Sequence, residues 1–115
     1  MLTWLGAFVA TVAIELAIVG AGTRDLALPL SRRLRVAFVA QAATHPLVWF
    51  VFPELPGATP IVWFWVSELV AVGLEGLLYA RALPGLTRLR AFGLAALANA
   101  ASLGTGVVLD ALTTR

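Results

Sequence analysis

The sequence predicts an all-α membrane protein in which four transmembrane helices form a four-helix bundle. Three observations carry this prediction: the chain has 115 residues, 61% of them are apolar, and only 12% are charged. A soluble domain of this size needs polar side chains over most of its surface, and the few charged residues cannot supply them. Soluble enzymes and nucleic-acid-binding proteins are therefore excluded. The chain has no cysteine, which excludes disulfides and thiolate metal sites.

Four apolar stretches each have close to the about 20 residues that a helix needs to cross a bilayer. They cover residues 2–22, 36–52, 61–80 and 91–112. The first stretch is too long for a removable signal and has no basic segment or small-residue cleavage site, so we retain it as a helix. The connections between the stretches are short and rich in turn residues. We therefore expect residues 1–115 to form one integral membrane domain.

The arginines predict the orientation of the chain in the membrane. Seven of them lie in or beside the first and third connections: Arg24, Arg32, Arg33, Arg35, Arg81, Arg88 and Arg90. Basic residues favour the cytoplasmic side, so these two connections are expected to be cytoplasmic and both termini to lie outside. Trp4, Trp49, Trp63 and Trp65 fall at the opposite ends of the stretches, as in an interfacial aromatic belt. Arginine without lysine is typical of a GC-rich genome and favours a bacterial inner membrane.

The two halves of the chain resemble each other in three short segments that occur in the same order. The paired segments are E-L-x-x-V-G at 15–20 and 68–73, A-L-P-x-x-x-R-L-R at 27–35 and 82–90, and Q-A-A-T at 41–44 against N-A-A-S at 99–102. These matches predict two tandem repeats, about 1–57 and 58–115. Each repeat would be a pair of helices, so the two copies would run parallel, with Glu15 and Glu68 in equivalent places.

Three carboxylates lie inside the apolar stretches, where an ionised side chain is costly, so Glu15, Glu68 and Glu75 should face the bundle interior or a hydrated cavity. Helical spacing places polar residues of the second and fourth stretches on matching faces. The number of residues between each polar residue and the arginine nearest to it along the chain gives its depth in the bundle, and these depths predict two polar layers. The first layer holds Glu15, Gln41, Glu75 and Asn99, and the second holds His45, Glu68 and Ser102, with Thr44 beside it.

These eight side chains are the candidate ion- or substrate-binding residues. Glu15, Glu68 and His45 are also candidate metal ligands, which makes a divalent cation the candidate cofactor. For Gln41, Thr44, Asn99 and Ser102 the alternative is a purely structural role as interhelical hydrogen-bonding groups. No catalytic motif is present, so no catalytic residue is assigned.

Three functions fit this pattern. The first is a small transporter or channel for a cation, a proton or a proton-coupled small solute. The second is a non-catalytic membrane subunit or assembly factor whose polar core only specifies packing. The third is a membrane-embedded enzyme that acts on a lipid or isoprenoid. Four helices seldom enclose a path for a substrate alone, so a homodimer or larger oligomer is expected within the lipid bilayer. No nucleic-acid partner is expected.

Overall fold

The structure is a computed structural model that describes residues 3–57 and 59–114. In this part of the chain four long helices are connected by short turns: α1 (Trp4–Gly22), α2 (Leu30–Pro46), α3 (Pro60–Ala82) and α4 (Arg88–Thr113). A π-helical turn, Leu47–Val51, and a 3₁₀ turn, Phe52–Glu54, continue α2. All four resulting segments are long and apolar enough to cross a membrane, which confirms the four predicted apolar helices. Leu2, the first residue of the first predicted stretch, lies outside the described residues.

Helices α2, α3 and α4 begin earlier than the corresponding apolar stretches do. Helix α2 begins at Leu30 and therefore includes Arg32, Arg33 and Arg35, which the sequence reading had placed in a connection. Arginine and leucine both favour the helical conformation, so a helix continues beyond the residues that are apolar enough to lie in hydrocarbon. Helix α4 likewise begins at Arg88, where the side chain of Thr87 accepts a hydrogen bond from the Arg90 amide at 3.2 Å.

The four helices pack as a ring in which each helix contacts two neighbours. Helix α1 lies against α2 and α4, and helix α3 lies against the same two, so α1 and α3 are diagonal to each other. Buried apolar side chains fill the half of the bundle near the arginine-containing connections. This core consists of Val19, Ala37, Ala40, Tyr79, Leu83, Leu86, Ala91 and Ala95. Tight packing is thus concentrated at one end, which we call the arginine end.

Two arginine side chains close the arginine end by binding the last turn of α1. Arg33 donates from Nη1 to the carbonyl oxygen of Gly20 at 2.8 Å and to the Thr23 hydroxyl at 3.0 Å. Arg90 donates to the Gly22 carbonyl at 2.9 Å and to both carboxylate oxygens of Asp25, at 2.7 and 2.8 Å. Helix ends leave carbonyl groups without partners, and these two guanidinium groups supply the missing donors.

The Arg90–Asp25 pair lies at the surface of the connection between α1 and α2. Both side chains are well exposed, at 39% and 61% respectively. The hydrogen bonds from Arg90 lower the pKa of the Asp25 carboxyl group, because they stabilise its ionised form. The pair joins the second half of the chain to the first at the place where α1 ends.

Candidate functional site

A cavity of about 670 Å³ occupies the half of the bundle opposite the arginine end, and all four helices contribute to its wall. Its base is formed by Gln41, Glu75 and Asn99, next to the packed core. Exposed residues, Pro53, Asp110 and Ala111, line it at the far end. The cavity is therefore a well that begins at one end of the bundle and stops at a polar layer.

Glu75 is the centre of this polar layer. It is 1% exposed, and its carboxylate accepts hydrogen bonds from three side chains on the two neighbouring helices. From α2, Gln41 Nε2 donates to Oε1 at 2.9 Å and the Thr44 hydroxyl lies 2.7 Å from the same oxygen. From α4, Asn99 Nδ2 donates to Oε2 at 2.6 Å. One carboxylate thus joins α2, α3 and α4.

Glu15 lies behind the cavity wall and has a different set of contacts. It is fully buried, and its Oε1 accepts a hydrogen bond from the hydroxyl of Tyr79, which is itself fully buried. Its second oxygen, Oε2, is buried and has no hydrogen-bond partner among the described residues. Tyr79 lies one helical turn from Glu75 on α3, so Glu75 and the residue that binds Glu15 share one face of that helix.

Glu68 lies further towards the open end of the cavity. It is half-buried and lines the cavity, two helical turns before Glu75. Unlike Glu75 and Glu15, it takes part in no side-chain hydrogen bond within the described part of the chain. Its carboxylate is therefore directed at cavity space and not at another side chain.

His45 lies on the cavity wall among aromatic rings. The ring centroids of Phe8, Trp49 and Trp4 lie 5.4, 5.9 and 6.0 Å from its own. The side chain is 8% exposed, and its Nε2 is buried with no hydrogen-bond partner among the described residues. The same holds for the hydroxyl oxygen of Ser102, another residue of the cavity wall. Two polar atoms of the wall thus have unused hydrogen-bonding capacity.

The backbone changes its helical type directly after His45. Pro46 has no amide hydrogen and cannot continue the α-helical hydrogen-bond pattern. From Leu47 the chain forms a π-helical turn, in which the Phe52 amide donates to the Leu47 carbonyl. Such turns occur often at functional sites, since they change the direction of the following side chains. Here the turn contains Val48 and Trp49, which both line the cavity.

Seven of the eight candidate residues line this one cavity, and Glu15 is the exception. The seven are Gln41, Thr44, His45, Glu68, Glu75, Asn99 and Ser102. The proposed metal set is not assembled, because within residues 3–57 and 59–114 no three His, Asp or Glu side chains are grouped to hold a metal ion. Glu15 does not line the cavity, and its carboxylate accepts a hydrogen bond from Tyr79, a residue of the packed core.

The candidate set omitted Tyr79 and the aromatic neighbours of His45. Both had a signal in the sequence, since residues four apart share a helix face. Tyr79 is four residues after Glu75, Phe8 four after Trp4 and Trp49 four after His45. What the sequence did not show is that these faces meet.

Comparisons of the chain with protein families, with curated proteins and with solved structures found no match.

Proposed function

We propose that this protein is a small membrane transporter or channel for a cation, a proton or a proton-coupled small solute. The observation that carries the proposal is the cavity, which enters a bundle of four apolar helices and ends at the Gln41–Glu75–Asn99 layer. Polar groups inside a membrane are costly and typically mark the path of an ion or substrate. A purely structural bundle would need no such space beside them.

The site is suited to exchange a proton for a cation. Glu68 and Glu75 share the cavity, and among the described residues neither is paired with an arginine. A carboxyl group without a permanent counter-charge binds either a proton or a cation, since hydrocarbon disfavours an uncompensated negative charge. His45 is a further group on the same wall that can accept or release a proton.

The proposal includes an orientation and an assembly. We place the arginine end in the cytoplasm of a bacterium and the open end of the cavity on the outer side of its inner membrane, following the positive-inside rule. We also propose a homodimer, because four helices leave little material to enclose a continuous path.

Flux through proteoliposomes tests this function. We expect the wild-type protein to carry protons or monovalent cations, and Glu68→Gln or Glu75→Gln to abolish the flux while the protein remains folded. Glu54→Gln is the matched control, since Glu54 is an exposed carboxylate at the same end of the bundle that does not line the cavity. Equal flux in wild-type protein, Glu68→Gln and protein-free vesicles would contradict the proposal.

A second function, a non-catalytic membrane subunit, is favoured by one observation. Both oxygens of Glu75 already have hydrogen-bond partners, as expected if the layer serves to specify how α2, α3 and α4 pack. This function predicts no flux, a lower melting temperature for Glu75→Gln and a stable partner protein that copurifies with the chain.

A further inference from the structure

The cavity is much larger than a bare cation requires. Its volume of about 670 Å³ lies within the about 300–1,000 Å³ that is usual for small-molecule sites, whereas a water molecule takes up about 30 Å³. A site for a single dehydrated ion would be closed around it by several oxygen atoms, whereas the described residues group no three His, Asp or Glu side chains around one point. The size of the space indicates an organic ligand.

The charged residues of the cavity wall indicate the sign of the charge that such a ligand would have. Its ionisable residues are Glu68, Glu75, Asp110 and His45, and it contains no arginine. Acidic side chains surrounded by apolar walls concentrate a negative potential, which attracts cations and repels anions. A positively charged ligand would therefore fit this wall better than a neutral or negatively charged one.

The remaining residues of the wall favour a ligand whose uncharged part is apolar. Aromatic and aliphatic residues line most of the cavity, including Trp49 and Phe64 near its open end and Leu103 and Val107 on α4. Aromatic faces also attract organic cations, and most strongly in sites with little water. A small inorganic ion could use neither of these features.

The polar atoms of the wall locate the charged group of the ligand. Glu75 is occupied by its three hydrogen-bond donors, whereas Glu68 has none among the described residues. The His45 Nε2, on a side chain that is only 8% exposed, and the Ser102 hydroxyl oxygen are buried and unpartnered. Those two atoms have almost no accessible surface, so Glu68 is the acceptor that the cavity offers to an ammonium group, which has several N–H donors and no acceptor.

We propose, building on the transport function above, that the cavity binds an organic ammonium ion with an aromatic or aliphatic body, with its charge beside Glu68 and its body between Trp49, Phe64 and α4.

Three probes separate the contribution of charge from that of the apolar body. They are 1-naphthylmethylammonium, the uncharged 1-naphthylmethanol of similar shape, and methylammonium, which has the charge without the body. Calorimetric titration of the purified full-length protein in detergent measures their affinities. We expect the naphthylmethylammonium ion to bind at least about tenfold more tightly than either of the others. Equal affinity for the alcohol or for methylammonium would overturn the proposal.

Two variants test the position of the ligand. Glu68→Gln should remove the preference for the ammonium over the alcohol while the protein keeps its melting temperature, since this carboxylate has no partner to lose. Gly106→Leu should block the naphthyl body, because Gly106 lines the cavity and a Cβ atom there has no neighbour within 4 Å. Gly104→Leu is its control, since that position is equally open but lies outside the cavity. Unchanged binding in Glu68→Gln or in Gly106→Leu would contradict the proposed site.

Flux measurements distinguish a failure of this inference from a failure of the transport function. Glu68-dependent flux of protons or inorganic cations, without binding of naphthylmethylammonium, would overturn the inference and leave the proposed function in place. Binding of the ammonium without flux of any solute would support the site and contradict transport.

Discussion

Tyr79 donates a hydrogen bond to Glu15 across the diagonal of the bundle. These residues belong to α3 and α1, the two helices that are separated by α2 and α4. Both side chains are fully buried, so neither water nor lipid can replace this contact. It is one of the buried contacts that join the first and second halves of the chain, together with those of Gln41 and Thr44 to Glu75.

Tyr79→Phe is expected to destabilise the protein, because it removes only the hydroxyl that donates to Glu15. The buried carboxyl group then loses its partner, at a cost of about 1 kcal/mol in the free energy of unfolding, as for hydrogen bonds inside membranes. Thermal or denaturant unfolding in detergent measures the change. In the Glu15→Gln background the same substitution should cost a different amount, and strictly additive effects would show that the two side chains are not coupled.

The carboxylates of α3 are expected to differ in their importance for stability. Glu75→Ala leaves the amides of Gln41 and Asn99 without an acceptor on α3, whereas Glu68→Ala breaks no hydrogen bond of the described chain. We expect Glu75→Ala to lower the free energy of unfolding by about 2 kcal/mol more than Glu68→Ala. Unfolding curves of the two variants make the comparison, and equal losses would argue against the assigned hydrogen bonds.

Two glycines of α3 give a matched pair of packing variants. A Cβ atom at Gly76 would lie 2.3 Å from the ring of Phe92, whereas one at Gly73 would have no neighbour within 4 Å. Gly76→Ala should therefore destabilise by about 1–3 kcal/mol through overpacking, and Gly73→Ala should be neutral or stabilising because alanine favours helix. Melting temperatures test this. Gly76→Ala combined with Phe92→Leu should recover part of the loss, and a loss that Phe92→Leu leaves unchanged would indicate another cause.

The Asp25–Arg90 pair predicts a pH-dependent contribution to stability. The pKa of Asp25 is lowered from its usual 3.8 by the hydrogen bonds from Arg90, so its contribution is complete above that value and is lost as the pH falls through the lower, folded-state pKa. The difference in melting temperature between wild-type protein and Asp25→Asn should thus be constant near neutral pH and disappear below pH 3.8. High salt should reduce it, since both side chains are exposed. A difference that does not change with pH would exclude the ion pair as its source.

The sequence predicted the four helices and the polar residues between them because both depend on local composition. Apolar stretches of sufficient length and carboxylates within them can be recognised without knowing how the helices pack. The predicted first residues of the helices were less accurate. Hydropathy indicates where a helix becomes apolar enough to lie in hydrocarbon, and not where its backbone hydrogen bonds begin. Helices α2 and α4 begin at Leu30 and Arg88 because their backbone hydrogen bonds begin there, several residues before the apolar stretches.

The contacts of individual side chains could not be predicted, because they depend on how each helix is rotated about its axis. Glu15 and Glu68 occupy equivalent places in the repeated segments, yet one is buried against Tyr79 and the other lines the cavity. The matching arginines differ as well, since Arg33 binds α1 while its counterpart Arg88 is exposed. The tandem repeat itself stays a prediction.

The two arginines that bind the end of α1 imply an order of assembly during synthesis. Arg33 is 13 residues from Gly20, so the first hairpin can satisfy that carbonyl by itself as soon as α1 and the start of α2 have been synthesised. Arg90 is 68 residues from Gly22 and is synthesised only after α3. Until then, the Gly22 carbonyl and the Asp25 carboxylate lack the donors that Arg90 supplies. The first hairpin therefore has its Arg33 contact early, whereas Glu15 and Gln41 gain their partners only with α3 and the end of α1 gains Arg90 only with α4.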